Sequence, residues 1–142
     1  MSHSVDEMLA RARRRIRRFG PQELEPIAAS GGLIVDIRPS EQRTQEGELP
    51  LAVVLERNVL EWRLDPASTH RIPEVKGYEL PIVVVCSEGY ASSLAAATLV
   101  DLGHVKAGDL IGGFKAWRIW SEAGRSPSDG RSQWESPDHT IA

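Results

Sequence analysis

Hydrophobic positions along the chain fall into two rhythms. Four short runs, at residues 33–37, 51–55, 82–85 and 107–111, are mostly β-branched or aliphatic and show little polar alternation. Runs of that length, fed by glycine and proline, predict strands buried on both faces. Between them lie segments with helical spacing. Residues 22–30 follow Pro21 and stop at Gly31-Gly32, and residues 40–44 suit one polar helical turn. Residues 59–64 have Asn58 as a candidate cap and Asp65-Pro66 as a stop. Residues 91–102 are closed by Gly103, and residues 114–120 follow Gly112-Gly113. The stretch from 67 to 80, with Pro73 and Gly77, reads as loop. Strands alternating with helices predict an α/β layer structure around a mainly parallel sheet.

The N-terminus carries a different pattern. Leu9, Ala12, Ile16 and Phe19 recur at three- and four-residue spacing, predicting a basic amphipathic helix over residues 1–20. The expected organisation is this helix, a domain over residues 21–123, and a flexible tail over residues 124–142, rich in Ser, Pro, Gly and Asp. Residues 1–20 hold six arginines against Asp6 and Glu7, although the whole chain has a net charge of −3. The basic helix therefore faces an acidic body, which favours packing on its own domain over binding nucleic acid or membrane.

Composition narrows the class. The chain has 142 residues, 41% hydrophobic and 26% charged, as expected of one globular domain. No apolar run approaches the roughly 20 residues that span a bilayer, and the first ten residues do not resemble a secretory signal. A cytoplasmic location is the expectation. The one cysteine cannot form an internal disulfide, which agrees with a reducing compartment. His3, His70, His104 and His139 are scattered as ordinary surface or loop histidines, so neither a metal nor another cofactor is expected.

That cysteine is the most informative residue. Cys86 follows the apolar run at 82–85 and precedes Ser87-Glu88-Gly89-Tyr90-Ala91-Ser92 and the predicted helix. It thus falls at the carboxyl end of a strand, where open α/β sheets place their crevices, beside the free N–H groups that open a helix. Those groups favour a negatively charged sulfur, and the thiolate is the reactive form. Gly89 permits a tight bend and close backbone approach. Ser87 and Ser92 are candidate hydroxyl donors to the sulfur or its substrate, and Ser92 equally suits a helix cap. Tyr90 either walls a pocket or simply packs. Trp117 and Trp120, three apart, read as core.

Three segments in order carry a resemblance: Leu33-Ile34-Val35-Asp36-Ile37-Arg38, then Val83-Val84-Val85-Cys86-Ser87-Glu88-Gly89-Tyr90-Ala91-Ser92, then Asp109-Leu110-Ile111-Gly112-Gly113-Phe114-Lys115-Ala116-Trp117. Over roughly residues 21–121 the chain resembles the single-domain rhodaneses. The resemblance implies a central sheet of about five mainly parallel strands with helices on both faces. It also implies a sulfurtransferase in which Cys86 becomes a persulfide, with Ser87, Glu88, Gly89, Tyr90, Ala91 and Ser92 as the active-site loop. Asp36 and Arg38 correspond to an Asp-x-Arg pair that braces this region, and Asp109 is expected to act comparably at the end of the last strand. The implied partners are a small sulfane-sulfur donor, or a protein persulfide, and a thiol or cyanide acceptor. The stretch Glu48-Leu49-Pro50-Leu51-Ala52 departs from a His-Ile-Pro-Gly-Ala-like pattern of many relatives, with Glu48 in the histidine's place.

Relatives that favour thiosulfate tend to carry basic residues in this loop, whereas here it carries Glu88. A carboxylate on the order of 8 Å from a bound anion costs about 0.5–2 kcal/mol per unit charge at an effective dielectric of 20–80. Weak use of thiosulfate and a preference for persulfide donors are therefore expected. Two other functions fit parts of the pattern. One is a non-catalytic binding or regulatory module, sensing redox state through Cys86. The other is a cysteine phosphatase, which needs an arginine closing the loop; the closing positions hold Ala91, Ser92 and Ser93.

Overall fold

In the computed structural model, residues 3–124 are described. The tail expected over residues 124–142 lies, beyond Gly124, outside the described residues. Five parallel strands form one sheet in the order β1-β5-β4-β2-β3: β1 (Arg17–Phe19), β2 (Leu33–Asp36), β3 (Val53–Val54), β4 (Ile82–Val85) and β5 (Ala107–Leu110). Helices α1 (Val5–Arg15), α2 (Leu24–Ala29), α3 (Ser40–Glu46), α4 (Leu60–Leu64), α5 (Ala91–Leu102) and α6 (Gly113–Glu122) surround it.

Side-chain alternation splits the strands between two cores. Leu33, Val35, Ile82, Val84 and Ala107 face Leu60 and Leu64 of α4 and Ala95, Ala96 and Leu99 of α5. Ile34, Val83, Val85 and Leu110 face Leu24 of α2 and Phe114, Trp117 and Trp120 of α6. All four residues of β2, β4 and β5 are buried, which explains why these runs show no polar alternation. Asp36 and Asp109 are the polar exceptions, both fully buried at strand ends.

The N-terminal segment departs from the expected helix. α1 starts with a capping box, in which the Glu7 N–H donates to Ser4 Oγ at 3.1 Å and the Ser4 N–H to Glu7 Oε1 at 2.8 Å. It ends at Arg15, not residue 20, and Arg17–Phe19 pairs with Gly108–Leu110 as an edge strand. The extended turn lets Ile16 pack on the α5 side and Phe19 on the α6 side, a split that one helical stripe cannot make. Gly108 makes room for it, since a Cβ there would lie 2.1 Å from the Arg17 carbonyl oxygen.

Smaller differences have similar causes. Asn58 does not cap a helix but sits inside a 3-10 turn, Arg57–Val59, that leads into α4. His104 follows α5 in a loop but is fully buried, where its Nε2–H donates to the Leu64 carbonyl at 2.7 Å. No helix among the described residues is long and apolar enough to cross a membrane.

Candidate active site

β4 delivers Cys86 to the carboxyl edge of the sheet, between β2 and β5, and the chain then bends through Gly89 at φ +91° into α5. No side chain caps α5. The sulfur takes the capping acceptor's place: Sγ accepts the Ser92 N–H at 3.3 Å and the Gly89 N–H at 3.2 Å. The N–H groups of Glu88 and Tyr90 have no hydrogen-bond acceptor among the described residues. Cys86 is buried, with 8% of its surface exposed, yet it lines an open cavity of about 300 Å³. Ser87, Glu88, Tyr90 and Ala91 share that cavity, and Gln42, Glu46 and Lys115 border it.

The two serines have separate roles. Ser92 Oγ lies 3.2 Å from Sγ and donates to Asp109 Oδ2 at 2.8 Å, so it accepts from the thiol. Ser87 does not reach the sulfur; its hydroxyl donates to Glu46 Oε2 at 2.7 Å. Tyr90 is half-exposed at the cavity, with the Arg13 guanidinium 5.6 Å from its ring centre.

Asp36 and Arg38 reach this loop through Glu46, and among the described residues neither hydrogen-bonds Cys86. Arg38 donates to Asp36 through Nε at 3.0 Å and Nη2 at 2.7 Å, and its backbone N–H also reaches Asp36 Oδ1. Its Nη1 donates to Glu46 Oε1 at 3.2 Å, so Glu46 bridges the ion pair to Ser87. Burial opposes the Arg38 charge, but the bonds to Asp36 and Glu46 outweigh it and carry the Arg38 pKa above the ordinary arginine value. The guanidinium also lies 3.9 Å from the Phe114 ring centre.

From the other side, α6 holds the loop by its main chain. The Phe114 N–H donates to the Cys86 carbonyl at 2.8 Å and the Lys115 N–H to the Ser87 carbonyl at 3.1 Å. These bonds turn the loop's carbonyls toward α6 and away from the sulfur. Asp109, at the end of β5, accepts from Ser92, Ser93 and Arg18, the last at 2.9 Å.

Four contributors were not singled out by the sequence. Lys115 Nζ lies 2.7 Å from Glu88 Oε2, which pairs the carboxylate that the donor argument treated as alone. Glu46 had no signal beyond its place in a polar turn. Arg13 and Arg18 lie in the segment expected as a basic amphipathic helix, yet both reach the Gly89 carbonyl. The strand glycine Gly108 was the available clue that another backbone comes close. Glu48 lies off the site, paired with Arg43.

Comparison with known proteins matches this arrangement to one family. The rhodanese-like domain matches residues 20–119. The chain belongs to the rhodanese-like domain family. It is 29% identical over 102 residues to the thiosulfate sulfurtransferase GlpE of Pseudomonas savastanoi, covering 72% of this chain and 87% of that one. The human single-domain sulfurtransferase TSTD1 superposes with a TM-score of 0.60 at 25% identity, over 72% of this chain and 95% of that one. A Rhodopseudomonas palustris protein, described as of unknown function and a possible tyrosine phosphatase, gives a TM-score of 0.75 at 31% identity. That match covers 87% of this chain and 93% of the other. The rhodanese-like domains thus support sulfurtransferase chemistry for the family.

Proposed function

We propose that this rhodanese-like protein is a sulfurtransferase that carries sulfane sulfur on Cys86. The observation that carries the reading is the double N–H contact to Sγ at 3.2 and 3.3 Å at the edge of an open cavity. Such donors favour an anion on sulfur both before and after loading.

In the first half-reaction the Cys86 thiolate attacks the outer sulfur of a donor. The bond from that sulfur to the rest of the donor breaks, and its electron pair leaves with the departing group. Cys86 then bears a persulfide anion. In the second half-reaction an external thiolate or cyanide attacks the terminal sulfur, and Cys86 leaves as the thiolate. The chain has one cysteine, so no internal thiol resolves the persulfide.

Charge around the site is balanced. Glu88 pairs with Lys115, Asp36 and Glu46 with Arg38, and Asp109 with Arg18, while Arg13 adds a fourth cation. The expected penalty on thiosulfate counted Glu88 without its partner, so both thiosulfate and persulfides fit the site as donors. Phosphatase chemistry fits less well: Ala91, Ser92 and Ser93 close the loop, and Arg13 and Arg18 point at the Gly89 carbonyl.

The test is an activity panel of thiosulfate, mercaptopyruvate, glutathione persulfide and para-nitrophenyl phosphate, for the parent and Cys86→Ser. Sulfur transfer by the parent alone, with a gain of one sulfur atom at Cys86 by mass spectrometry, is the expected result. Equal activity of the mutant, or no adduct with any donor, rejects the reading.

A further inference from the structure

The rhodanese-like match begins at residue 20, yet two side chains from before it reach the catalytic loop. Arg13, on the last turn of α1, donates Nη2 to the Gly89 carbonyl at 2.7 Å and Nε to Ser93 Oγ at 3.1 Å. Arg18, in β1, donates Nη2 to the same carbonyl at 3.1 Å and Nε to Asp109 Oδ1 at 2.9 Å. Ser93 Oγ lies 3.3 Å from that carbonyl as well. One carbonyl oxygen therefore gathers two guanidinium groups against their mutual repulsion. Burial, and after it the neighbouring Arg18, lower the Arg13 pKa from its ordinary value, while Asp109 and an ionised Cys86 act in the opposite sense.

We propose that Arg13 and Arg18 are positioning residues for the sulfur-carrying loop, which hold the Gly89 carbonyl and the Asp109 carboxylate so that the loop's N–H groups, and not its carbonyls, serve the charged sulfur. The inference rests on the sulfurtransferase reading for its purpose. Its geometry is independent of that reading. Gly89 sits at φ +91°, a conformation open to several peptide orientations. Its N–H must point at Sγ, so its carbonyl needs a fixed acceptor role elsewhere. The trans, planar peptide then turns the Tyr90 N–H to the side opposite the arginines. Two charge-assisted bonds to the carbonyl polarise that peptide and strengthen the Tyr90 N–H as a donor.

Asp109 extends the same logic. Ser92 has one hydroxyl proton, shared in prospect between Asp109 Oδ2 and Sγ. With the thiol, that proton goes to Asp109. When the sulfur is charged, the hydroxyl stays protonated and turns its O–H to donate a hydrogen bond to the sulfur, and Asp109 keeps Arg18 and Ser93 as donors. The N-terminal segment, which lies before the rhodanese-like match, is thus a brace that reaches the sulfur through β5 and the loop.

The test is alkylation of Cys86 by iodoacetamide across pH, which reads anionic sulfur without any sulfur donor. Arg13→Met is expected to alkylate about tenfold more slowly at pH 7, as suits the loss of one charge-assisted bond, with its rate at pH 10 unchanged. Its sulfur-transfer kcat falls with little change in KM. Arg14→Met, which removes the same charge from an exposed face, is expected to match the parent. A folded Arg13→Met with the parent's profile, or an Arg14→Met slowed equally, overturns the proposal. Should Arg13→Met not fold, Arg13→Lys decides: slowing of about threefold supports the clamp and a parent-like profile rejects it. A parent that accepts no sulfur would sink the proposed function and leave this comparison intact.

Discussion

Gly113 lies so close to Cys86 that a Cβ on it would stand 2.6 Å from the Cys86 carbonyl oxygen and 2.5 Å from the Ser87 carbonyl carbon. The residue also has φ +65°, in the left-handed region. This contact brings the N-terminus of α6 against the loop, where the Phe114 and Lys115 N–H groups take the loop's carbonyls. Gly113→Ala is expected to destabilise the domain by about 2–5 kcal/mol, combining left-handed strain with overpacking. Because the displaced atoms belong to the loop that holds Cys86, the proposed sulfur transfer should lose at least about tenfold in kcat even in protein that remains folded. Thermal unfolding and steady-state kinetics on the same sample check both effects.

Lys115 is the cation that offsets Glu88, through an ion pair whose members are each about half-exposed. Such a pair contributes little to stability. Its effect should appear in substrate choice instead. Lys115→Ala uncovers the carboxylate beside the cavity, and a dianionic donor feels about twice the repulsion of a monoanion. The expected result is a KM for thiosulfate raised about three- to tenfold, a smaller change for glutathione persulfide, and an unchanged melting temperature. Glu88→Gln should move thiosulfate the other way. Equal changes for both donors would show that Lys115 acts by shape and not by charge.

The Asp36–Arg38 pair is buried on both sides, at 1% and 0% side-chain exposure, beneath Phe114. Removing one member leaves the other charge without its main partner in a dry site. Asp36→Ala is expected to cost about 3–5 kcal/mol. For a domain of this size that is a fall of roughly 10–20 °C in Tm, measurable by circular dichroism. A double change, Asp36→Leu with Arg38→Met, should recover much of the loss, since two apolar groups of similar volume leave no charge buried. Glu46→Gln is milder, because Arg38 keeps Asp36.

Much of this architecture was legible in the chain, for a definite reason. β2, β4 and β5 are buried on both faces, so their apolar runs stand out, and α5 runs from Ala91 to Leu102 as its composition predicts. β1 was not legible. Three residues, Arg17-Arg18-Phe19, carry no strand period, and their pairing with Gly108–Leu110 depends on a chain segment some 90 residues away. The same distance hid the brace on the loop: Arg18 and Asp109 are remote in sequence and 2.9 Å apart in space. Local signals placed Cys86 and Gly89; the partners of Glu88, Ser87 and Asp109 required the fold.

Ser92 and Ser87 began as equivalent candidates, and the structure separates them. Ser92 donates its N–H to the sulfur at 3.3 Å and its hydroxyl oxygen accepts from the thiol at 3.2 Å, while Ser87 gives its hydroxyl to Glu46. Ser92→Ala keeps the main-chain donor and removes the hydroxyl, which also leaves Asp109 with two side-chain partners, Arg18 and Ser93. Loss of one hydrogen bond to a charged group costs about 1.5–3 kcal/mol, so sulfur transfer should slow by roughly 10- to 100-fold. Ser87→Ala severs the loop's tie to Glu46 but touches no reacting atom, and less than about threefold loss is expected. Parallel kinetics of the two variants, with mass spectrometry of the loaded Cys86, set the comparison. A Ser87→Ala defect equal to that of Ser92→Ala would mean that the hydroxyl geometry at the sulfur does not govern the reaction.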